Sequence, residues 1–155
     1  MNIMTTETKI IGGIALATIL IIGAGVFLST KQGALPKSEV LSEEAIHWHP
    51  KLTIKINGKT QEISKDIGIG AVHQRIHTHD KDGVLHMEMS GPVTKEEAKL
   101  GNFFRIWGKT FSSSCIFAYC NGKGKKVTML VNGKENKDYE NYIMKDGDKI
   151  EIKYE

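Results

Sequence analysis

Twice in this chain, a strand-like run, strictly alternating in the first case and largely apolar in the second, leads straight into an Asn-Gly dipeptide, a combination that allows little besides an antiparallel hairpin. In the run from His47 to Ile56, Trp48, Leu52, Ile54 and Ile56 fall on one face of an extended strand, and His47, His49, Lys51, Thr53 and Lys55 fall on the other. Asn57-Gly58 follows, and Gln61 to Ser64 supplies a return strand. Val127 to Val131 meets Asn132-Gly133 in the same way. A polar stretch through Tyr142 and a turn at Asp146-Gly-Asp148 lead to a last strand, where Ile150, Ile152 and Tyr154 alternate with charges. Asn-Gly is favoured here because a type I′ turn needs positive φ at both central residues, and its twist matches that of the strands it joins.

Between the two strand sets, Thr94-Lys-Glu-Glu97 has the spacing of a capping box, Thr94 as N-cap and Glu97 reaching back. A helix over 95–107 places Leu100, Phe103, Phe104 and Trp107 on one core-facing stripe, with Gly108 just past its end. Gly101 inside it costs up to about 1 kcal/mol, so a break between two short helices is the alternative. Phe111 to Lys126 reads as irregular. Cys115 and Cys120 within it predict a disulfide in an oxidising compartment. Closing so short a loop contributes about 2 kcal/mol in the chain-entropy model. A redox thiol pair, or soft ligands to a metal, are the other readings. The expected class is α+β and β-rich: a β-grasp-like mixed sheet with one main helix, the histidine hairpin being an insertion or extra strands.

The histidines are the chemical signal. All six lie between His47 and His86, four of them in the His-x-His pairs His47/His49 and His77/His79. The stretch HQRIHTHDKDGVLHME, His73 to Glu88, reads as a hairpin about Asp80-Lys-Asp-Gly83. Strand side chains two apart share a face, so His77 goes with His79, and His86 with Glu88. A four-residue loop at 80–83 sets His77 opposite His86. A two-residue Asp82-Gly83 turn sets His79 opposite His86 and His77 opposite Glu88. Either register gathers His77, His79, His86 and Glu88 on one face and leaves Ile76, Thr78, Leu85, Met87 and Met89 on the other, as a core side; only an odd-length bulge breaks the pattern.

Three imidazoles and a carboxylate suit Zn²⁺ or Cu²⁺. His77, His79 and His86 are the first candidate ligands, and His47 and His49 join them if their strand lies beside the hairpin. His73 has the right parity but sits further away. Glu88 reads as a ligand, a partner to one, or a catalytic base. Met87 and Met89 raise a Cu(I) reading that strand parity opposes. An exported location and higher intrinsic affinity tilt the expectation slightly towards copper. Against all this stands the bland alternative of solvated histidines on a polar face. Asp80-x-Asp82-Gly83 lacks the remaining positions of a calcium loop. Asp66-Ile-Gly-Ile-Gly70 lacks the pattern of a phosphate loop. No nucleophilic triad is visible around Ser112 to Ser114, and no catalytic residue is assigned.

The N-terminal region carries a different message. Ile10 to Leu28 contains no charge and only Thr18 as a polar residue. At 1.5 Å per residue this tract is about 28 Å long, close to the bilayer's hydrocarbon thickness. Residues 1–9 read as a short flank, 10–28 as an uncleaved transmembrane signal anchor, 29–45 as a juxtamembrane linker and 46–155 as an extracytoplasmic domain. Lys9 before the span and Lys31 and Lys37 after it do not favour export by the positive-inside rule. A domain behind a single N-terminal span is nevertheless most simply an exported one, and the cysteine usage is compatible. The net charge of +3 comes with scattered lysines and no aromatic platform, which disfavours nucleic-acid binding.

Taken together, the His-x-His after an anchor, HTHDKDGVLHME, LGNFFRIWG and the VNG…DGDKIEI tail resemble a family of uncharacterised membrane-anchored prokaryotic ectodomains with an HTHD-x-DGV-x-H-x-E motif. The resemblance covers about residues 46–154, and it implies no activity and no catalytic residue. The tail VNGKENKDYENYIMKDGDKIEIKY resembles the end of β-grasp modules. Three functions follow: a membrane-tethered transition-metal-binding protein, a metal-dependent enzyme using Glu88, or a metal-free adhesion or assembly module. The first is preferred.

Overall fold

The computed structural model describes residues 36–155. The expected flank and transmembrane span, and the linker as far as residue 35, lie outside the described residues. Among the described residues no helix is long and apolar enough to cross a membrane. In chain order the elements are β1 (Val40–Ser42), β2 (Ile46–Trp48), β3 (Lys51–Ile56), β4 (Lys59–Gln61), β5 (Ile76–His77), β6 (His86–Met89) and β7 (Val93–Thr94). Then come α1 (Leu100–Trp107), β8 (Cys115–Ile116), β9 (Tyr119–Cys120), β10 (Val127–Val131), β11 (Lys134–Glu135), a 3₁₀ turn (Tyr139–Asn141) and β12 (Lys149–Tyr154). The class is α+β: β-rich, with mixed sheets and one main helix.

The largest sheet has the order β11-β10-β12-β3-β4, with β12 and β3 parallel at its centre and the outer pairs antiparallel. Alternation does what periodicity requires. Leu52, Ile54 and Ile56 pair with Ile150, Ile152 and Tyr154, and all six are buried. They belong to one apolar cluster with Leu100, Phe103 and Phe104 of α1. Both Asn-Gly turns take positive φ at both residues, 51° and 76° at Asn57-Gly58 and 52° and 79° at Asn132-Gly133, as a type I′ hairpin demands.

The alternating run from His47 to Ile56 is not one strand. It breaks at Pro50, which has no N–H to offer a ladder. The Pro50 carbonyl accepts from Leu85 N–H (2.8–2.9 Å bonds join this junction to the next hairpin: Leu85 to Pro50 at 2.9 Å, Leu52 to the Gly83 carbonyl at 2.8 Å). The break lets β3 enter the large sheet while β2 enters a separate three-stranded sheet, β2-β6-β5. Gly83 is required at this contact. Its φ is +80°, and a Cβ there would stand 2.4 Å from the Leu52 carbonyl oxygen.

Three further differences from the sequence expectation have identifiable causes. The Thr94–Glu97 box forms: Thr94 N–H and Oγ1 donate to Glu97 Oε2 at 2.8 and 2.9 Å, and Glu97 N–H donates to Thr94 Oγ1 at 3.3 Å. It closes a turn, however, and α1 begins only at Leu100, because Lys99 is extended (φ −67°, ψ 139°) and bridges to Ile143. Gly101 lies inside α1 without breaking it. A side chain there would meet the Glu140 carbonyl oxygen at 2.9 Å, so glycine admits the 3₁₀ turn against the helix. The folded unit also reaches back into the stretch read as linker, where β1 pairs with β7. In the region read as irregular, β8 and β9 pair as a short hairpin in which Cys115 and Cys120 are opposite and disulfide-bonded.

Candidate metal centre

The three-stranded sheet sets the histidines. β5 and β6 pair with His77 opposite His86, and β2 and β6 pair with His47 opposite Glu88. Residues opposite in a sheet share a face, so these four side chains emerge on one side. Ile46, Ile76, Met87 and Met89 go to the other, each at most 7% exposed. The register is that of a four-residue loop, but the ladder stops at His77. Thr78 is drawn away: its N–H donates to the Ile67 carbonyl, its carbonyl accepts from Asp66 N–H, and its hydroxyl donates to the Ser64 carbonyl at 2.9 Å. His79 therefore stands beyond the ladder, with its ring turned back to 4.5 Å from that of His86 and 4.8 Å from that of His77.

His49, just past the end of β2, brings its ring to 4.7 Å from His47 and 4.9 Å from His86. Its position is fixed from the far end of the chain: His49 N–H donates to Asp146 Oδ1 at 2.8 Å, and the same oxygen lies 3.8 Å from His49 Nδ1. Asp146 belongs to the turn preceding β12, which is tied down by Asp148. The Asp148 carboxylate accepts from Lys145 N–H (2.8 Å), Tyr142 hydroxyl (2.7 Å) and Asn132 Nδ2 (2.9 Å). Burial, then the bond to Asp148, raises the Tyr142 pKa well above its ordinary value, so the phenol stays protonated as a donor. Sequence reasoning missed Asp146. No sequence pattern announces it, because its approach to His49 depends on the parallel pairing of β3 with β12, which sets Lys149 beside Lys51.

His77 differs from expectation in one respect. Strand parity predicts it on the face away from the core, open to solvent, yet its residue is 2% exposed. The rings of His73, His79 and His86 lie 5.9, 4.8 and 5.7 Å from its own and belong to its cover. Its Nδ1 lies 3.0 Å from the Gln74 carbonyl, which can only accept. The proton of a neutral ring is therefore on Nδ1, leaving the Nε2 lone pair aimed at His79 Nε2, 3.2 Å away. A carbonyl holding one imidazole nitrogen so that the other faces outward is the usual support of a metal-binding histidine.

The potential ligand atoms form two triads, His47/His49/His86 and His77/His79/Glu88, each with all its atoms within 4.8 Å of one another. The expected set His77, His79 and His86 is thus divided: His86 groups with the β2 histidines, and Glu88 takes its place beside the other two. Glu88 Oε1 lies 3.4 Å from His47 Nε2 and 3.9 Å from His77 Nε2. His73 belongs to neither triad. It lines a cleft of about 410 Å³ beside α1, together with Arg75, Glu97 and Arg105 among others. Arg75 pairs there with Glu97, whose carboxyl is held below the usual range first by the Thr94 N–H.

Comparison with family models, curated proteins and solved structures found no match to the chain.

Burial lowers the His86 pKa, and the neighbouring His79, His49 and His77 lower it further, against a smaller opposing pull from Glu88. A ring kept neutral in the fold binds metal without first losing a proton. The sign for stability follows. Below about 6.5 an unfolded His86 takes up a proton that the folded ring resists, so this group's contribution falls as pH drops through that value, until the folded ring also protonates. Denaturant titrations of the metal-free protein between pH 7.5 and 5.5 (about one unit either side of the unperturbed histidine value) should show falling stability, with a shallower slope in His86→Gln.

Proposed function

We propose that this protein is a membrane-tethered, extracytoplasmic transition-metal-binding protein, with copper slightly favoured over zinc. One observation carries the reading. Donors around a tetrahedral ion at about 2.0–2.1 Å stand about 3.3 Å apart, and His77 Nε2 and His79 Nε2 are already 3.2 Å apart with the His77 tautomer set for ligation. Glu88 completes a group with this pair, and three more imidazoles form a second group, whose His86 ring lies 4.5 Å from that of His79. Copper is preferred because imidazole suits both ions, while Cu²⁺ binds a given nitrogen site more tightly. Met87 and Met89, buried on the opposite face, add nothing towards Cu(I). Binding is favoured over catalysis because the side chains of His47, His49 and Glu88 are 62%, 43% and 52% exposed, and the depression that His47 and Glu88 line lies wide open to solvent. A β-grasp-like architecture for the scaffold is supported by the order β4-β3-β12-β10-β11 about its parallel central pair.

Metal analysis of the full-length protein, purified without a histidine tag, should find stoichiometric copper or zinc after exposure to either. Uptake should be strongly reduced in His86→Ala, whose side chain lies outside the core, and affinity should fall in acid as the imidazoles take up protons. Failure to take up either metal, or equal uptake by wild type and His86→Ala, would contradict the assignment. The location has its own test. Protease added outside intact cells should remove the domain from the membrane fraction, and protection of the domain until lysis would place it on the cytoplasmic side.

A further inference from the structure

The donors fall into two groups that share one carboxylate, and we propose that the centre holds two metal ions, with Glu88 bridging them. The inference rests on the metal-binding reading above and adds the number of ions and their arrangement.

The grouping of the donor atoms carries it, and the rings within each group are oriented to converge. An imidazole binds a metal through a lone pair in the plane of its ring, so rings serving one ion must have planes that meet at it. Within the first group the rings of His49 and His86 stand at 90°, and within the second those of His77 and His79 stand at 83°. Both pairs can converge. Between the groups, His77 and His86 are stacked, with planes 15° apart and centroids 5.7 Å apart. His79 and His86 also cross, at 75° with centroids 4.5 Å apart, so ring planes alone do not divide the donors. The division comes from the donor atoms: those of His47, His49 and His86 lie within 4.8 Å of one another, as do those of His77, His79 and Glu88, so His77 and His86 fall in different groups.

Glu88 stands between the groups. Its Oε1 is 3.4 Å from a nitrogen of His47 in the first and 3.9 Å from a nitrogen of His77 in the second. A carboxylate has two oxygens, each able to serve one ion. Ions bridged in this way sit about 3.5–4 Å apart in two-metal sites. The donor count points the same way. A four-coordinate ion needs four ligands, whereas five imidazoles and a carboxylate are gathered here. Divided three and three, with Glu88 reaching across, they give the first ion three imidazoles and a carboxylate oxygen, and the second two imidazoles and the other oxygen. Asp146, 3.8 Å from His49 Nδ1, places a second negative charge beside the first ion, where two dications would otherwise repel.

The test is a copper titration of the full-length, untagged protein, with bound metal counted after removal of free ion and Cu²⁺ followed by electron paramagnetic resonance. Wild type should bind two equivalents and show spin–spin coupling between them. His49→Ala and His79→Ala, both at exposed positions, should each retain one equivalent with an uncoupled spectrum, and Glu88→Gln should lose the coupling. One equivalent in wild type would overturn this inference and leave the metal-binding reading standing. No uptake at all would overturn both. Two uncoupled equivalents, or a second equivalent that survives the loss of His49 and His79 together, would place the second ion elsewhere. The wild-type count and coupling decide the matter even if a variant fails to fold.

Discussion

The register between β5 and β6 is the constraint from which the rest of this domain follows. A strand shows alternate side chains to opposite faces, and β6 uses both. Met87 and Met89 enter the apolar cluster, while His86 and Glu88 emerge beside His77 and His47. A slip of one residue would bury the imidazoles and expose the methionines, so the hydrophobic core and the donor cluster enforce the same register. That coupling explains how an open polar surface can hold several side chains in fixed relation. Their backbone is set by the burial of their neighbours in sequence.

Pro50 provides the second device. By ending β2 it allows one alternating run to serve two sheets, with His47 and His49 against the hairpin and Leu52, Ile54 and Ile56 in the large sheet. The junction is closed by the Leu85–Pro50 and Leu52–Gly83 backbone bonds, which hold the hairpin loop against the scaffold. From the other side, the Asp148-anchored turn delivers Asp146 to His49. The donor cluster is thereby braced by both ends of the folded chain rather than by its own hairpin alone.

Local features of this fold were legible in the sequence. The Asn-Gly turns, the alternation in β3 and β12, the stripe of Leu100, Phe103 and Phe104, and the common face of His77 and His86 all depend on residues close in the chain. What was not legible depends on partners far away. The Thr94–Glu97 box is present, but the 142–144 segment captures Lys99 and Leu100 and delays the helix. Thr78 leaves the hairpin because the 64–67 segment offers it other hydrogen bonds. Nothing near His49 in sequence announces Asp146. Strand parity likewise puts His77, His79 and His86 on one face but does not say which rings converge, since that depends on side-chain rotation and on where β2 lies.

If the proposed metal centre unites these rings, His77 is held in a single tautomer by the Gln74 carbonyl and the clustered imidazoles respond to one titration. Imidazole ¹⁵N resonances of the ¹⁵N-histidine-labelled protein, followed through a Zn²⁺ titration, test it most directly. His77 should be Nδ1-protonated before metal is added. On titration, the Nε2 signal of His77 and the rings of His47, His49, His79 and His86 should move together, while His73 remains unchanged. A His77 ring protonated at Nε2, or zinc that shifts His73 alone, would contradict it.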